Sequence, residues 1–223
     1  MASTMIDLSR EITDGLVTYP GYSVLPTPVI RPQVDFDDWQ GAFPPGGEFR
    51  IDRIEMVGNT GTYLDTPAHR YRDGFDVADL PLESVADLPG VVIDARAQAL
   101  GPEVFEGRDL RGRAVLVHTG WARYWGTERY GSVDHPHVTG AAAELLANAG
   151  AALVGIDSVN IDDTSEAAGG WRAAHSTLLA AGVLVVEHLC NLDRLGDASF
   201  RFFAVPLKAR GMGTFPVRAF AVR

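Results

Sequence analysis

The sequence predicts a mixed α/β fold, and two observations carry that prediction. From residue 139 onward, helix-period and strand-length apolar segments alternate, while before it prolines and glycines break the chain into short extended pieces. Alternation is the mark of parallel strands joined by crossover helices; the broken first half reads as short strands and exposed loops.

The elements follow in order. Through about Pro45 the chain carries YPGY, LPTPVI and FPPGGE, where fixed prolines and permissive glycines interrupt any regular element. Phe49 to Met56 has strand composition, but its apolar residues shift phase between Ile51 and Ile54, which predicts a bulge or twist. Val91 to Ile93 and Ala114 to Val117 have the length of buried strands. Thr139 is placed to cap a helix that ends at Gly150, with Ala142, Leu145, Leu146 and Ala149 on its apolar face. Ala152 to Ile156 then reads as a strand, Arg172 to Ala181 as a helix stopped by Gly182, and Val183 to Val186 as a second strand. That order predicts a right-handed βαβ unit. SFRFFAVPL and PVRAFAVR read as strands added at the sheet edge. With no repeat, low-complexity tract or linker run, residues 1–223 are expected to form one domain.

Composition narrows the function. Hydrophobic residues make up 46% of the chain and charged residues 22%, an ordinary globular balance. The net charge of −10 disfavours binding to a phosphate backbone, so nucleic acid is not an expected partner. No run approaches the roughly 20 apolar residues of a membrane helix, and MASTMIDLSREITDG lacks the order of a secretory signal. A cytoplasmic protein with no membrane partner is expected. The single cysteine, Cys190, excludes an internal disulfide and a Cys-based zinc cluster, and its apolar neighbours predict a buried thiol.

Chemistry concentrates in Asn59-Thr-Gly-Thr-Tyr-Leu-Asp-Thr-Pro-Ala-His69. Asn59, Tyr63, Asp65 and His69 recur at even spacing, so an extended chain would present an amide, a phenol, a carboxylate and an imidazole on one face. Pro67 argues against a helical approach of Asp65 and His69. For a lone Asp-x-x-x-His the plainer account is a turn carboxylate and a surface histidine. Context decides.

The segment resembles the cyclase-family signature His-x-Gly-Thr-His-x-Asp-x-Pro-x-His. Gly61, Thr62, Asp65, Pro67 and His69 match, whereas Asn59 and Tyr63 stand where the first two histidines would be. The likeness continues through Tyr19-Pro20-Gly21, HTGWARYWG, LVGIDS, Ala174-His175-Ser176, Val186-Glu187 and Val205-Pro-Leu207-Lys. This family includes the bacterial kynurenine formamidases. The resemblance implies a swivelling β/β/α architecture and a homo-oligomer, dimer or tetramer. It also implies that Asp65, His175 and Glu187 are retained metal ligands and that His69 is the acid/base, with the first metal position emptied by Asn59 and Tyr63. An amide oxygen is a weak zinc ligand and a phenol must first lose a proton.

Two chemistries fit these residues. One divalent metal, zinc or manganese, could sit on Asp65, His175 and Glu187 and activate water; alternatively no metal binds, Asp65 orients His69 as base, and Tyr63 donates to an oxyanion. The corresponding functions are hydrolysis of an amide, lactam or lactone of a small aryl-type substrate, and a metal-independent cyclase, dehydratase or lyase reaction. A non-catalytic small-molecule binding protein is the third reading. Asn59, Trp39 and Phe43 are the candidate substrate contacts, the two aromatics because they lie in a proline-rich loop. His118 reads as a strand-end histidine, His135 and His137 as residues of a solvated loop, and His188 as pointing away from Glu187 across the strand.

Overall fold

The computed structural model describes residues 4–21, 24–39, 41–196 and 198–223. In chain order the strands are β1 (Met5–Asp7), β2 (Val29–Val34), β3 (Ile51–Glu55), β4 (Tyr63–Asp65), β5 (Leu88–Asp94), β6 (Ala99–Leu100), β7 (Ala114–His118) and β8 (His137–Val138). They continue as β9 (Leu153–Ile156), β10 (Leu184–Glu187), β11 (Phe200–Phe203), β12 (Thr214–Pro216) and β13 (Phe220–Val222), with helices α1 (Gly140–Ala149) and α2 (Ala173–Ala180). The fold is mixed α/β, as the sequence predicts.

Nine strands form one sheet in the order β1-β13-β11-β5-β7-β9-β10-β4-β12. Its centre, β5-β7-β9-β10, is parallel, and α2 joins β9 to its parallel neighbour β10. Alternate residues of these strands feed two cores. Val115, Val117, Val154 and Val185 pack under α1 and α2, while Ala114, Leu116, Leu153 and Val186 pack on the opposite face with Ile6, Leu8 and Phe202. Burial on both faces explains why these strands read as unbroken apolar runs.

Local chemistry sets the helix ends. The Thr139 hydroxyl accepts from the Ala142 N–H, and Gly150 closes α1 with φ of 77°. The buried face of α1 is Ala142, Ala143 and Leu146; Leu145 and Ala149 are only half-buried, so the stripe lies slightly round the helix from the predicted one. β11 and β13 are not edge strands. β13 lies between β11 and β1, and the edges are β1 and β12. The expected irregularity near Ile51 is real but falls on the partner strand: β2 and β3 pair as an antiparallel hairpin with a register shift between Pro32 and Val34. All of β3 is exposed, so its apolar phase reports no buried face.

Candidate active site

Strand alternation brings three chemical groups to one face. Leu64 enters the core remote from the helices, so Tyr63 and Asp65 on either side of it point toward α2; Val185 packs under α2, and Glu187, two residues on, shares its side. Register then makes pairs. β4 runs antiparallel between β10 and β12, setting Glu187 opposite Tyr63 and Thr214 opposite Asp65. Both pairs are hydrogen bonded: the Tyr63 hydroxyl donates to Glu187 Oε2, and the Thr214 hydroxyl donates to Asp65 Oδ1.

His175 enters from α2, wholly within the fold. Its Nδ1 lies 2.6 Å from Asp162 Oδ2, and the same carboxylate accepts the N–H of Ala174 at 2.5 Å and of His175 at 3.2 Å. Asp162 therefore satisfies free donors at the start of the helix while fixing the ring. The other nitrogen, Nε2, lies 3.4 Å from Asp65 Oδ2 and 3.7 Å from Glu187 Oε1. Glu187 Oε1 also accepts the Ile161 N–H at 2.6 Å. Burial opposes a charged His175, but the carboxylates of Glu187, Asp162 and Asp65 outweigh it and hold the pKa well above the imidazole range. Glu187 is pushed up to about 8, first by burial and against the pull of His175, with Asp65 and Asp162 adding.

His69 closes the group from a single 3-10 turn, Pro67–His69. Proline suits the first position of such a turn, where its missing N–H is not needed, so Pro67 begins the turn instead of forbidding it as the sequence argument held. Across that turn His69 Nδ1 comes to 3.5 Å from Asp65 Oδ1, and it stands 2.8 Å from Thr214 Oγ1. Burial lowers the His69 pKa; Asp65 opposes, and His175 and Arg70 add to the lowering. His69 opens on a cavity of about 260 Å³ shared with Tyr19, Asn59, Asn160, Thr164 and Arg172. Asn59 reaches it from an irregular bend, in which Gly61 has φ of 64° and gives its N–H to Thr18 Oγ1 at 3.0 Å. Only Tyr63–Asp65 of this segment is strand, so the convergence comes from a bend, a three-residue strand and a turn in succession.

Asp65, His69 and His175 each present a donor atom, all within 4.8 Å of one another. This suits a divalent cation: an imidazole whose remote nitrogen is held by a carboxylate offers the other nitrogen as a ligand, and Asp65 adds an oxygen. Glu187 stands at the same place, but each of its oxygens already accepts a hydrogen bond.

The other expected residues are distributed differently. Trp39 and Phe43 do not border this cavity; with Phe49 they form an aromatic cluster on the loop between β2 and β3, centroids 4.6 to 5.7 Å apart, and Phe43 is 40% exposed. His118 lies outside the cavity, 2.7 Å from Asp94 Oδ1. His135 and His137 are buried, correcting the solvated-loop expectation: His137 lies in β8, which pairs with β6, and His135 Nδ1 lies 3.2 Å from Ser158 Oγ. His135 Nε2 lies 2.9 Å from Thr164 Oγ1, next to the cavity. His188 is not directed away: β10 ends at Glu187, and a φ of 59° turns the His188 ring to within 5.2 Å of the Tyr63 ring. Burial first, then Arg10 and His135, push its pKa down to about 3, so it is neutral.

Sequence reasoning did not single out Asp162, Thr214 or Tyr19. Burial first, then the charges of Glu187 and Asp65, lift the Tyr19 pKa well above its usual value. Its segment, YPGY, was the only signal among the three.

A buried carboxylate–imidazole cluster beneath a small cavity is the candidate active site of this sheet. The sequence model of the Cyclase family matches residues 6–163, and the chain belongs to that family, as an enzyme of its hydrolase class. The kynurenine formamidase of Bacillus cereus is 25% identical over 218 residues, 97% of this chain and 96% of that protein. That of Bacillus cytotoxicus is 26% identical over 220 residues, 98% and 97%. Solved structures share the fold. Isatin hydrolase A from Ralstonia solanacearum matches with a TM-score of 0.83 at 24% identity, over 99% of this chain and 92% of its own. A predicted metal-dependent hydrolase from Bacillus stearothermophilus matches at 0.78 and 23% identity, over 100% and 99%. No helix among the described residues is long and apolar enough to cross a membrane.

Proposed function

We propose that this enzyme hydrolyses the amide bond of a small aryl formamide or lactam, with one divalent cation held by Asp65, His175 and Glu187 and with His69 as the base. The observation that carries the reading is the convergence beside the cavity of His175 Nε2, 3.4 Å from Asp65 Oδ2 and 3.7 Å from Glu187 Oε1, with His69 Nδ1 3.5 Å from Asp65 Oδ1 on the cavity side. The names of the kynurenine formamidase relatives support the bond type. When bound, a zinc or manganese ion would supply Lewis acidity toward the amide carbonyl and toward water. His69 would take a proton from water as its oxygen attacks the carbonyl carbon, and would return that proton to the nitrogen as the C–N bond breaks. Asn59 and Asn160 border the space that the substrate would fill and offer amide N–H groups to its carbonyl, while Arg172 suits an anionic substituent. A cavity of about 260 Å³ holds one ring and a short side arm.

Only one cation fits this reading. Asn59 and Tyr63 offer no imidazole, and the Tyr63 proton takes up Glu187 Oε2. The site draws on residues from Asp65 to Thr214, which supports one domain over residues 1–223. The apolar residues exposed on the β2–β3 hairpin, Val29, Ile51 and Ile54, support a homo-oligomer.

A metal-independent reaction is the second reading, favoured by one observation: a His175 imidazolium surrounded by Asp65, Asp162 and Glu187 can itself fill the cationic place. Metal analysis of purified protein, with hydrolysis of aryl formamides and lactams followed before and after chelation, decides between them. The first reading expects about one equivalent of metal, lost together with activity and restored with it. Full activity in metal-stripped protein selects the second. Two tightly held equivalents contradict both.

A further inference from the structure

We infer that Thr214 is a positioning residue for His69: its hydroxyl passes the direction of the Asp65 charge to the imidazole, fixing the tautomer with the proton on Nδ1 and leaving the Nε2 lone pair for the cavity. The inference rests on the proposed role of His69 as base. It is reached by counting protons. A threonine hydroxyl has one proton and two lone pairs, and an ionised carboxylate only accepts. The Thr214 hydroxyl donates to Asp65 Oδ1, so its proton is committed there. The same oxygen lies 2.8 Å from His69 Nδ1. With its only proton given to Asp65, Thr214 accepts, and Nδ1 must donate. The neutral ring then carries no proton on Nε2 and can take one from water.

The backbone holds this arrangement from several sides. Thr214 is the residue of β12 directly opposite Asp65, and it is buried. One residue earlier, the Gly213 carbonyl accepts both the N–H of Thr66 at 2.8 Å and its hydroxyl at 2.9 Å. A side chain at Gly213 would run into the backbone of Ala68 and His69, so β12 lies directly against the turn that bears the imidazole. A β-branched residue with restricted χ1 then presents its hydroxyl between the two partners. Direct contact does not replace this path, because His69 Nδ1 is 3.5 Å from Asp65 Oδ1, beyond the range of a good N–H···O bond. One consequence concerns the cation: an Nδ1 that holds a proton is unavailable as a ligand on the side facing Asp65.

The test uses the full chain in metal-free and zinc-loaded forms, with Thr214→Val removing the hydroxyl at constant shape and Thr214→Ser restoring it. Ring nitrogens are read by NMR on protein labelled with nitrogen-15 histidine, the His69 signals being assigned by their loss in His69→Gln. Wild type should show the Nδ1–H tautomer. Thr214→Val should shift the population toward Nε2–H and lower kcat by about 10- to 100-fold on an aryl formamide, with KM within a few-fold. Thr214→Ser should recover both; Thr214→Ala replaces Thr214→Val if the valine variant does not fold. A wild-type tautomer and kcat in Thr214→Val, with His69→Ala inactive, overturns this inference and leaves the proposed function standing. Equal damage in Thr214→Ser and Thr214→Val assigns Thr214 to packing and also overturns it. Wild-type turnover in His69→Ala instead overturns the base assignment, and the NMR comparison still decides the hydrogen bond.

Discussion

Asp162→Asn is the most informative substitution outside the Asn59 to His69 segment, because nearly everything it changes can be derived from three contacts. Asp162 Oδ2 lies 2.6 Å from His175 Nδ1 and also accepts the His175 N–H at 3.2 Å, while Oδ1 accepts the Ala174 N–H at 2.5 Å. An asparagine can keep its oxygen on the Ala174 N–H and so preserve one contact to the start of α2. Its amide nitrogen then replaces Oδ2, and two donors face each other unless the imidazole moves its proton from Nδ1 to Nε2. That tautomer has no lone pair on Nε2 for a cation. A hydrogen bond involving a charged partner contributes about 1.5–3 kcal/mol, and each 1.4 kcal/mol is tenfold, so divalent-metal affinity should fall by about 10- to 100-fold. Competition between the protein and a chelating dye for zinc measures the change directly. Thermal unfolding of the metal-free protein, run alongside, shows that the fold persists. Wild-type zinc affinity in folded Asp162→Asn would refute the claim that His175 binds the cation through Nε2.

Three further outcomes are expected. His69→Ala should lower turnover by about 10²- to 10⁴-fold while leaving zinc affinity within a few-fold, measured by steady-state kinetics and metal titration; wild-type turnover defeats the assignment. Tyr63→Phe removes the donor to Glu187 Oε2 without changing shape, so it should destabilise the metal-free protein by about 1–3 kcal/mol and shift its Tm down by several degrees, with turnover falling far less than in His69→Ala. An unchanged Tm refutes this, and a turnover loss equal to that of His69→Ala assigns the phenol to the substrate. Metal-free protein should also lose stability as pH rises. His175 and Glu187 both carry folded-state pKa values above their ordinary ones, so the folded chain binds more protons than the unfolded chain. The Glu187 contribution is whole below its ordinary carboxyl range and is lost by about pH 8; that of His175 is whole below the ordinary imidazole range and is lost through its raised value. A Tm of chelated protein that rises between about pH 6 and 9 contradicts the arrangement.

The central sheet was legible because burial on both faces forces continuous apolar strands, and Thr139 and Gly150 mark the ends of α1 with ordinary capping chemistry. The segment from Asn59 to His69 was legible by its motif, yet the reason it converges was not. Even spacing suggested one long strand, whereas the structure uses a strand of three residues and a turn that Pro67 starts. Asp162 and Thr214 gave no signal because their partners lie 13 and 149 residues away, across contacts that only register and topology create. His135 was misplaced for a related reason: Ser158 and Thr164, which meet its ring nitrogens, lie 23 and 29 residues away.

The electrostatics of the cluster explain how a site missing two imidazoles can stay folded. Three carboxylates, Asp65, Asp162 and Glu187, are buried together, an arrangement that would cost many kcal/mol if none were compensated. Each is met by donors from the surrounding chain. Asp162 takes two backbone N–H groups and His175; Asp65 takes Thr214; Glu187 takes Tyr63 and the Ile161 N–H. The phenol is the telling member of this set. It stands at a position that is a histidine in the signature the segment resembles, and it gives its proton to Glu187 Oε2 in a hydrogen bond. A neutral donor of this kind satisfies the carboxylate without importing another positive charge, so on the proposed reading a single cation beside Asp65, His175 and Glu187 would balance what remains.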